Sequence, residues 1–305
     1  MNTQSSAVPE SFGRQEVMPA VMSATRPLYW SVRRELWEFR SIYIAPLVAA
    51  GVILFGFLIS SFAGIWEKAL SLDPSQPKVA EPYNFAALLI MGSTFLVSLF
   101  YCLEALHAER RDRSILFWKS LPVSDLTTVL SKATVPLVIL PLLTFAVIAV
   151  TQWIMLLISI AVLSVSGQSV AALWSHLSLF QMWVVLLYHL VTIHALWYAP
   201  FYGWLLLASA WARRAPLLWA FLPPLAIGVF EKIAFRTSHF AAMLGHRFGG
   251  GPEGTEFTKA GMAMDPLMHL TPLHFLISPG LWIGLAITAA FLAAAVQLRR
   301  HRGPI

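Results

Sequence analysis

The sequence is poor in charge. Asp, Glu, Lys and Arg make up 12% of its 305 residues, against about 25% in soluble domains, and from Ala133 to Ala212 there is none of them. That stretch far exceeds the roughly 20 apolar residues that cross a bilayer once. Cysteine is reduced to Cys102, which excludes an intramolecular disulfide and any C-x-x-C site. No G-x-x-x-x-G-K-[S/T] loop occurs, so P-loop binding and hydrolysis of ATP by this chain are excluded. The nine histidines form no H-E-x-x-H, and there is no G-x-S-x-G elbow. Independent catalysis is therefore not expected, nor a cofactor or metal held by this chain. The first 40 residues lack an apolar core of signal-peptide length, so no cleaved signal is expected. Residues 1–25 read as a disordered cytoplasmic tail.

What is abundant is apolar surface, 58% of the residues. It falls into runs near Tyr43–Gly64, Asn84–Leu106, Thr127–Leu163, Ser178–Trp211, Pro216–Phe235 and Ser278–Leu298. The expected fold is all-α and integral to the membrane, a six-helix bundle forming one domain over 26–305. The third and fourth runs are longer than a bilayer needs, and Pro136, Pro141 and Pro200 predict kinks or tilt within them. Pro223-Pro224 interrupt the fifth.

Basic residues accumulate on the cytoplasmic side of such proteins. Fifteen of the 21 Lys and Arg residues, among them Arg33, Arg34, Arg40, Arg110, Arg111, Arg113, Arg213, Arg214 and Arg299, lie in segments that share one side if the N-terminus is inside. Both termini are thus expected in the cytoplasm, with the chain in a bacterial inner membrane. The net charge of +6 flanks apolar runs, which is topology and not a nucleic-acid footprint. The outer loop 236–277, apolar beside a Gly249-Gly250-Gly251-Pro252 break, predicts short helices lying at the outer surface.

The loop 107–126 carries the most information. Glu109-Arg110-Arg111-Asp112-Arg113 is followed by Ser114 and a short apolar helix holding Ile115, Leu116, Phe117, Trp118 and Leu121, which Pro122 ends. Ser124 or Asp125 can cap the next helix. From the residues alone, this segment is either an interfacial anchor or a helix that fills a partner's groove. Upstream, Leu28, Val32, Leu36, Phe39 and Tyr43 share one helical face over Arg26–Arg40, with Trp30 and Trp37 on another side. In the fourth run, His194, Tyr198 and Tyr202 share a face at four-residue spacing while His189 points elsewhere; Gln152 lies in the third. Polar groups in hydrocarbon mark either a path for substrate or hydrogen-bonded packing. One His per face makes no metal ligand set.

The run of Glu109, a mixed charge cluster, an apolar helix, Pro122-Val123-Ser124 and Lys132 resembles the loop of type-2 ABC transporter permeases. Arg113-Ser114 stand where many members of that family carry Gly-Thr or Gly-Ser. The resemblance implies a coupling helix over 109–125 that docks a separate ATP-binding subunit, and an interfacial elbow helix at Arg26–Arg40. It also implies a second permease copy, most simply a homodimer, with ATP and Mg held by the partner ATPase. The function it implies is export of an amphiphilic substrate across the inner membrane. Two other readings stay open: an integral-membrane enzyme using the His/Tyr face, and a scaffold or sensor that transports nothing.

Overall fold

The structure, a computed structural model, describes residues 25–63, 80–120, 123–167, 170–171, 173, 177–249, 251 and 272–301. The tail expected over 1–25 lies outside them but for Thr25, as do Leu121, Pro122 and most of the loop 249–271. The described secondary structure is helical throughout. Six helices, Ser41–Phe62, Glu81–Arg111, Asp125–Val165, Leu179–Trp197, Pro216–Phe235 and Pro279–His301, are long and apolar enough to cross a membrane. They follow the six apolar runs, the fourth stopping at Trp197 where the run extends to Trp211, because burial and helical hydrogen bonding are the demands that a hydrocarbon solvent makes of a chain.

In chain order the helices are α1 (Thr25–Glu38), α2 (Ser41–Phe62), α3 (Glu81–Ala105), α4 (His107–Arg111) and α5 (Ser114–Ser120). Then come α6 (Asp125–Thr134), α7 (Leu140–Val165), α8 (Leu179–His189), α9 (Ala199–Trp211), α10 (Pro216–Phe235), α11 (His239–Phe248), α12 (Pro272–Ile277) and α13 (Pro279–His301). Ser124 is the residue that caps α6, its Oγ accepting from the Thr127 N–H at 3.0 Å.

The expected irregularity at proline takes a definite form. Two π-helical stretches, Val135–Ile139 and Leu190–Trp197, join α6 to α7 and α8 to α9. Pro136 lies within the first, Pro141 just after it, and Pro200 follows the second. A proline removes an N–H and crowds the preceding turn, and the wider π turn absorbs both effects without ending the rod.

Pro223 and Pro224 do not break α10. Pro224 leaves the Ala220 carbonyl without its i+4 donor, and the Trp204 indole donates to that oxygen at 2.8 Å. This bond ties α10 to α9 at Ala220, the one buried residue of α10. Between α9 and α13 the approach is close: a Cβ on Gly203 would stand 3.3 Å from the Thr288 methyl. Small residues permit such contacts where no hydrophobic force drives helices together.

α11 is a short helix of exposed and half-buried residues. Glu231 accepts from the His239 and Phe240 N–H groups at 2.7 and 2.8 Å, which turns the chain back on itself after α10. The C-terminal end of α11 then meets α9 and its π-helical lead-in. Tyr198 donates to the Phe248 carbonyl at 2.8 Å, and Phe201 stacks on Phe248 at 4.2 Å between centroids. These contacts fix the end of α11 against α9, while the helix as a whole stays at the surface, with no buried residue and with Met243 and Phe248 57% and 52% exposed.

Candidate functional site

At the basic end of the bundle, α1, α4, α6 and α13 converge on a buried set of charges. The Lys132 ammonium lies 2.9 Å from Glu35 and 3.1 Å from Glu109. Arg34 reaches both carboxylates, at 2.7 and 3.0 Å. Arg299 pairs with Glu109 and, through its Nε, with Asp125 at 2.9 Å. Tyr101 donates to the second oxygen of Glu35 at 3.0 Å. Glu35, Glu109, Lys132 and Arg299 are each 5% exposed or less. Among the buried and half-buried members, three cations, Arg34, Lys132 and Arg299, balance three carboxylates, Glu35, Glu109 and Asp125, while the exposed Glu38 stands 3.7 Å from Arg34 at the rim.

Neutrality is what makes this burial tolerable, because an isolated charge taken out of water costs several kcal/mol even after relaxation. Burial works to lower the pKa of Arg34, but Glu35 and Glu109 outweigh it and the pKa is held above the ordinary guanidinium value. Local sequence explains the convergence only in part. Arg34 and Glu35 sit on the buried side of α1, where Leu36 and Phe39 pack against the core, while Trp30 and Trp37 stay exposed on either side of Arg33 at 5.2 Å from each ring.

The candidate docking residues divide. Glu109 belongs to the buried network. Arg110 is 6% exposed and donates to the carbonyls of Ala210 and Ala212 at 2.7 and 3.2 Å. It satisfies carbonyls that the end of α9 leaves without helical partners. Ser209 accepts from the N–H groups of Leu106 and His107 at 3.1 and 2.9 Å, fastening the α3–α4 junction to α9.

Beyond this root the chain turns outward. Arg113 takes φ 59°, a left-handed conformation that favours glycine. Ile115 is buried at 1% exposure, whereas Leu116 and Phe117 are 59% and 61% exposed. Arg111, Asp112 and Arg113 are exposed, with Arg111 paired to Glu104 at 2.7 Å and to Asp112 at 3.0 Å. Ser114 sits at the start of α5, half-buried. Trp118 lies on the same short helix; its side chain, and all of Leu121 and Pro122, fall outside the described residues.

The intramembrane polar residues form two groups. His194 and Tyr198 approach at 5.5 Å between ring centroids, both against Phe95, and Tyr202 is buried one turn on. His189 joins them, 5.5 Å from His194, contrary to its expected direction. The cause is the π-helical stretch, in which residues five apart become neighbours, as the Tyr198 N–H bonded to the Ile193 carbonyl at 2.9 Å shows. Gln152 is elsewhere: it donates to the Tyr83 carbonyl at 3.1 Å and accepts from the Trp183 indole at 2.8 Å. It joins three rods by satisfied hydrogen bonds. Among the described residues no group of three His, Cys, Asp or Glu side chains is placed to hold a metal ion.

Sequence reasoning missed Glu35, Arg34, Arg299 and Asp125 as parts of the site and saw Lys132 only as a motif position. The available signal was that each is an ionisable residue at the edge of an apolar segment on the side rich in basic residues. Comparisons with protein-family models, with curated proteins and with solved structures give no match.

Proposed function

We propose that this chain is the membrane subunit of an ATP-driven exporter of the type-2 ABC permease kind. One observation carries the reading: a short helix presents Leu116 and Phe117 outward while its root, Glu109 and Arg110, is fastened to α1, α6, α9 and α13. An interfacial anchor has no need of such a root. A docking helix does, because force applied to α5 by a partner must reach the bundle. Here it would pass through Glu109 to Lys132 and Arg299, and so to the rods that begin at Asp125 and end at His301.

In this reading the basic end faces the cytoplasm and both termini lie there, in a bacterial inner membrane. The partner is a P-loop ATPase that binds ATP and Mg, two permease copies assemble, and an amphiphile is moved. The exposed pair of apolar side chains supplies the docking surface, and the left-handed Arg113 sets its angle to the root.

Native membranes expressing the tagged chain test the proposal. A P-loop ATPase should co-purify and turn over ATP in the complex. A cysteine introduced as Ser120→Cys should resist impermeant thiol reagents in intact cells, while Ser166→Cys should label. Purification without any ATPase, or labelling of Ser120→Cys from outside, would overturn it.

A further inference from the structure

A cavity of about 310 Å³ opens at the basic end, between the α1–α2 junction, the end of α3 and the start of α10. Its walls are Phe39 and Ser41 from the junction, Phe100, Tyr101, Leu103 and Glu104 from α3, and Pro216 and Leu217 from α10. That volume is at the lower end of the roughly 300–1,000 Å³ of small-molecule sites. The lining is predominantly apolar, and the Tyr101 hydroxyl is turned away to Glu35.

The surroundings of the cavity are cationic. Arg40 sits between two lining residues, and Arg213 and Arg214 occupy the turn that leads into Pro216. All three are exposed, and none has a side-chain partner among the described residues. The turn itself is tight, with Ala215 at φ 48°, so the two arginines are followed within two residues by Pro216 of the cavity's α10 wall. Glu104 offsets them only in part: with Arg111 at 2.7 Å, an arginine it shares with Asp112, the three groups leave one negative charge against three positive ones.

An apolar slot beside unpaired guanidinium groups, on the side of a helical bundle richest in basic residues, fits one kind of occupant. We propose that this cavity holds an acyl chain of an anionic phospholipid whose phosphate is bound by Arg40, Arg213 and Arg214. Basic pockets between membrane helices select acidic headgroups by this combination of charge and apolar depth, and guanidinium forks match phosphate oxygens in pairs. The inference requires the basic end to lie at a membrane surface. It does not depend on the docking of an ATPase.

The test uses the full chain reconstituted in nanodiscs of phosphatidylcholine with a minor share of phosphatidylglycerol, then read by native mass spectrometry. Retained phosphatidylglycerol should exceed its bulk share by at least about tenfold, since each arginine near the surface favours an acidic headgroup roughly fivefold. Combined Arg40→Gln, Arg213→Gln and Arg214→Gln should abolish the preference, and lysines at the same three positions should restore most of it. Ser41→Trp, which fills the slot and leaves the arginines in place, should lower retention of the lipid altogether. Equal retention of both lipids, or a preference that survives the glutamine variants, overturns the proposal. So does efficient disulfide formation between Phe100→Cys of one copy and Leu217→Cys of another, which would show a second chain covering the cavity.

Discussion

At the basic end, residues as far apart in the chain as Arg34, Glu109, Lys132 and Arg299 meet as charges, with Glu35 and Glu109 each touching more than one cation. Where α11 folds back, the contacts are of another kind. Arg247 lies over the Trp197 ring at 4.2 Å and donates to the Gly280 carbonyl at 2.8 Å, and the Trp197 indole donates to the Arg247 carbonyl at 3.0 Å. Gly284 and Gly251 make room: a Cβ on the first would meet the Arg247 guanidinium, and on the second the Trp197 ring. One region is held by mutual neutralisation and the other by shape. Charges buried as a neutral set resist separation, because losing one member leaves its partners uncompensated. Rings and glycines lose little by sliding past one another. The basic end is therefore suited to carry force, and the region around α11 to yield to it.

Removing a charge should have the largest effect. Lys132→Met leaves Glu35 and Glu109 short of a cation and should destabilise the fold by about 3–5 kcal/mol, the range for breaking a buried pair. Thermal melting in detergent and membrane yield measure it. A variant as stable as the parent would mean that the network is not neutral as drawn. Arg34→Met should cost less, since Arg34 is 21% exposed and water can replace part of its interaction.

In the α11 region, Gly284→Ala should cost about 1–3 kcal/mol, the range for overpacking, by pushing Arg247 off Trp197 and Gly280. The same change in an Arg247→Met background should cost measurably less, because the methionine can move aside. A double-mutant cycle on the melting transition reads that difference. Additive losses would place the cause elsewhere than in the guanidinium.

A smaller effect is expected at α1. Arg33→Gln removes an exposed cation from between Trp30 and Trp37, an interaction worth about 0.5–1 kcal/mol at such sites. Tryptophan fluorescence should shift while the network and the melting temperature stay close to the parent. A large loss of stability would make α1 a member of the core on both faces.

The same contrast explains what was legible in the sequence. The six rods were, because each is a local apolar run and hydrocarbon-length runs leave few alternatives. The π-helical stretches were visible as Pro136, Pro141 and Pro200, though not as π turns. Glu35 with Lys132, or Glu109 with Arg299, was not legible, since no periodicity pairs residues 97 or 190 positions apart. Arg110 read as a surface cation because the carbonyls it caps belong to α9, a hundred positions away. His189 was misdirected by the assumption of a regular α-helix through Leu190–Trp197. The contact of Tyr198 with the end of α11 was not legible either, since Tyr198 and Phe248 stand 50 positions apart.

In the proposed function, α5 docks a partner while its root holds the bundle. Leu116→Ala and Phe117→Ala remove exposed apolar groups, so each should change stability by no more than about 0.5 kcal/mol. Truncating an anchor in a partner's groove typically costs about 2 kcal/mol, or roughly thirtyfold in affinity. The decisive measurement is the amount of P-loop ATPase retained by each purified variant, with melting temperature recorded on the same sample. The account predicts parental melting and loss of most of the ATPase. Parental retention of the ATPase by both variants would contradict it.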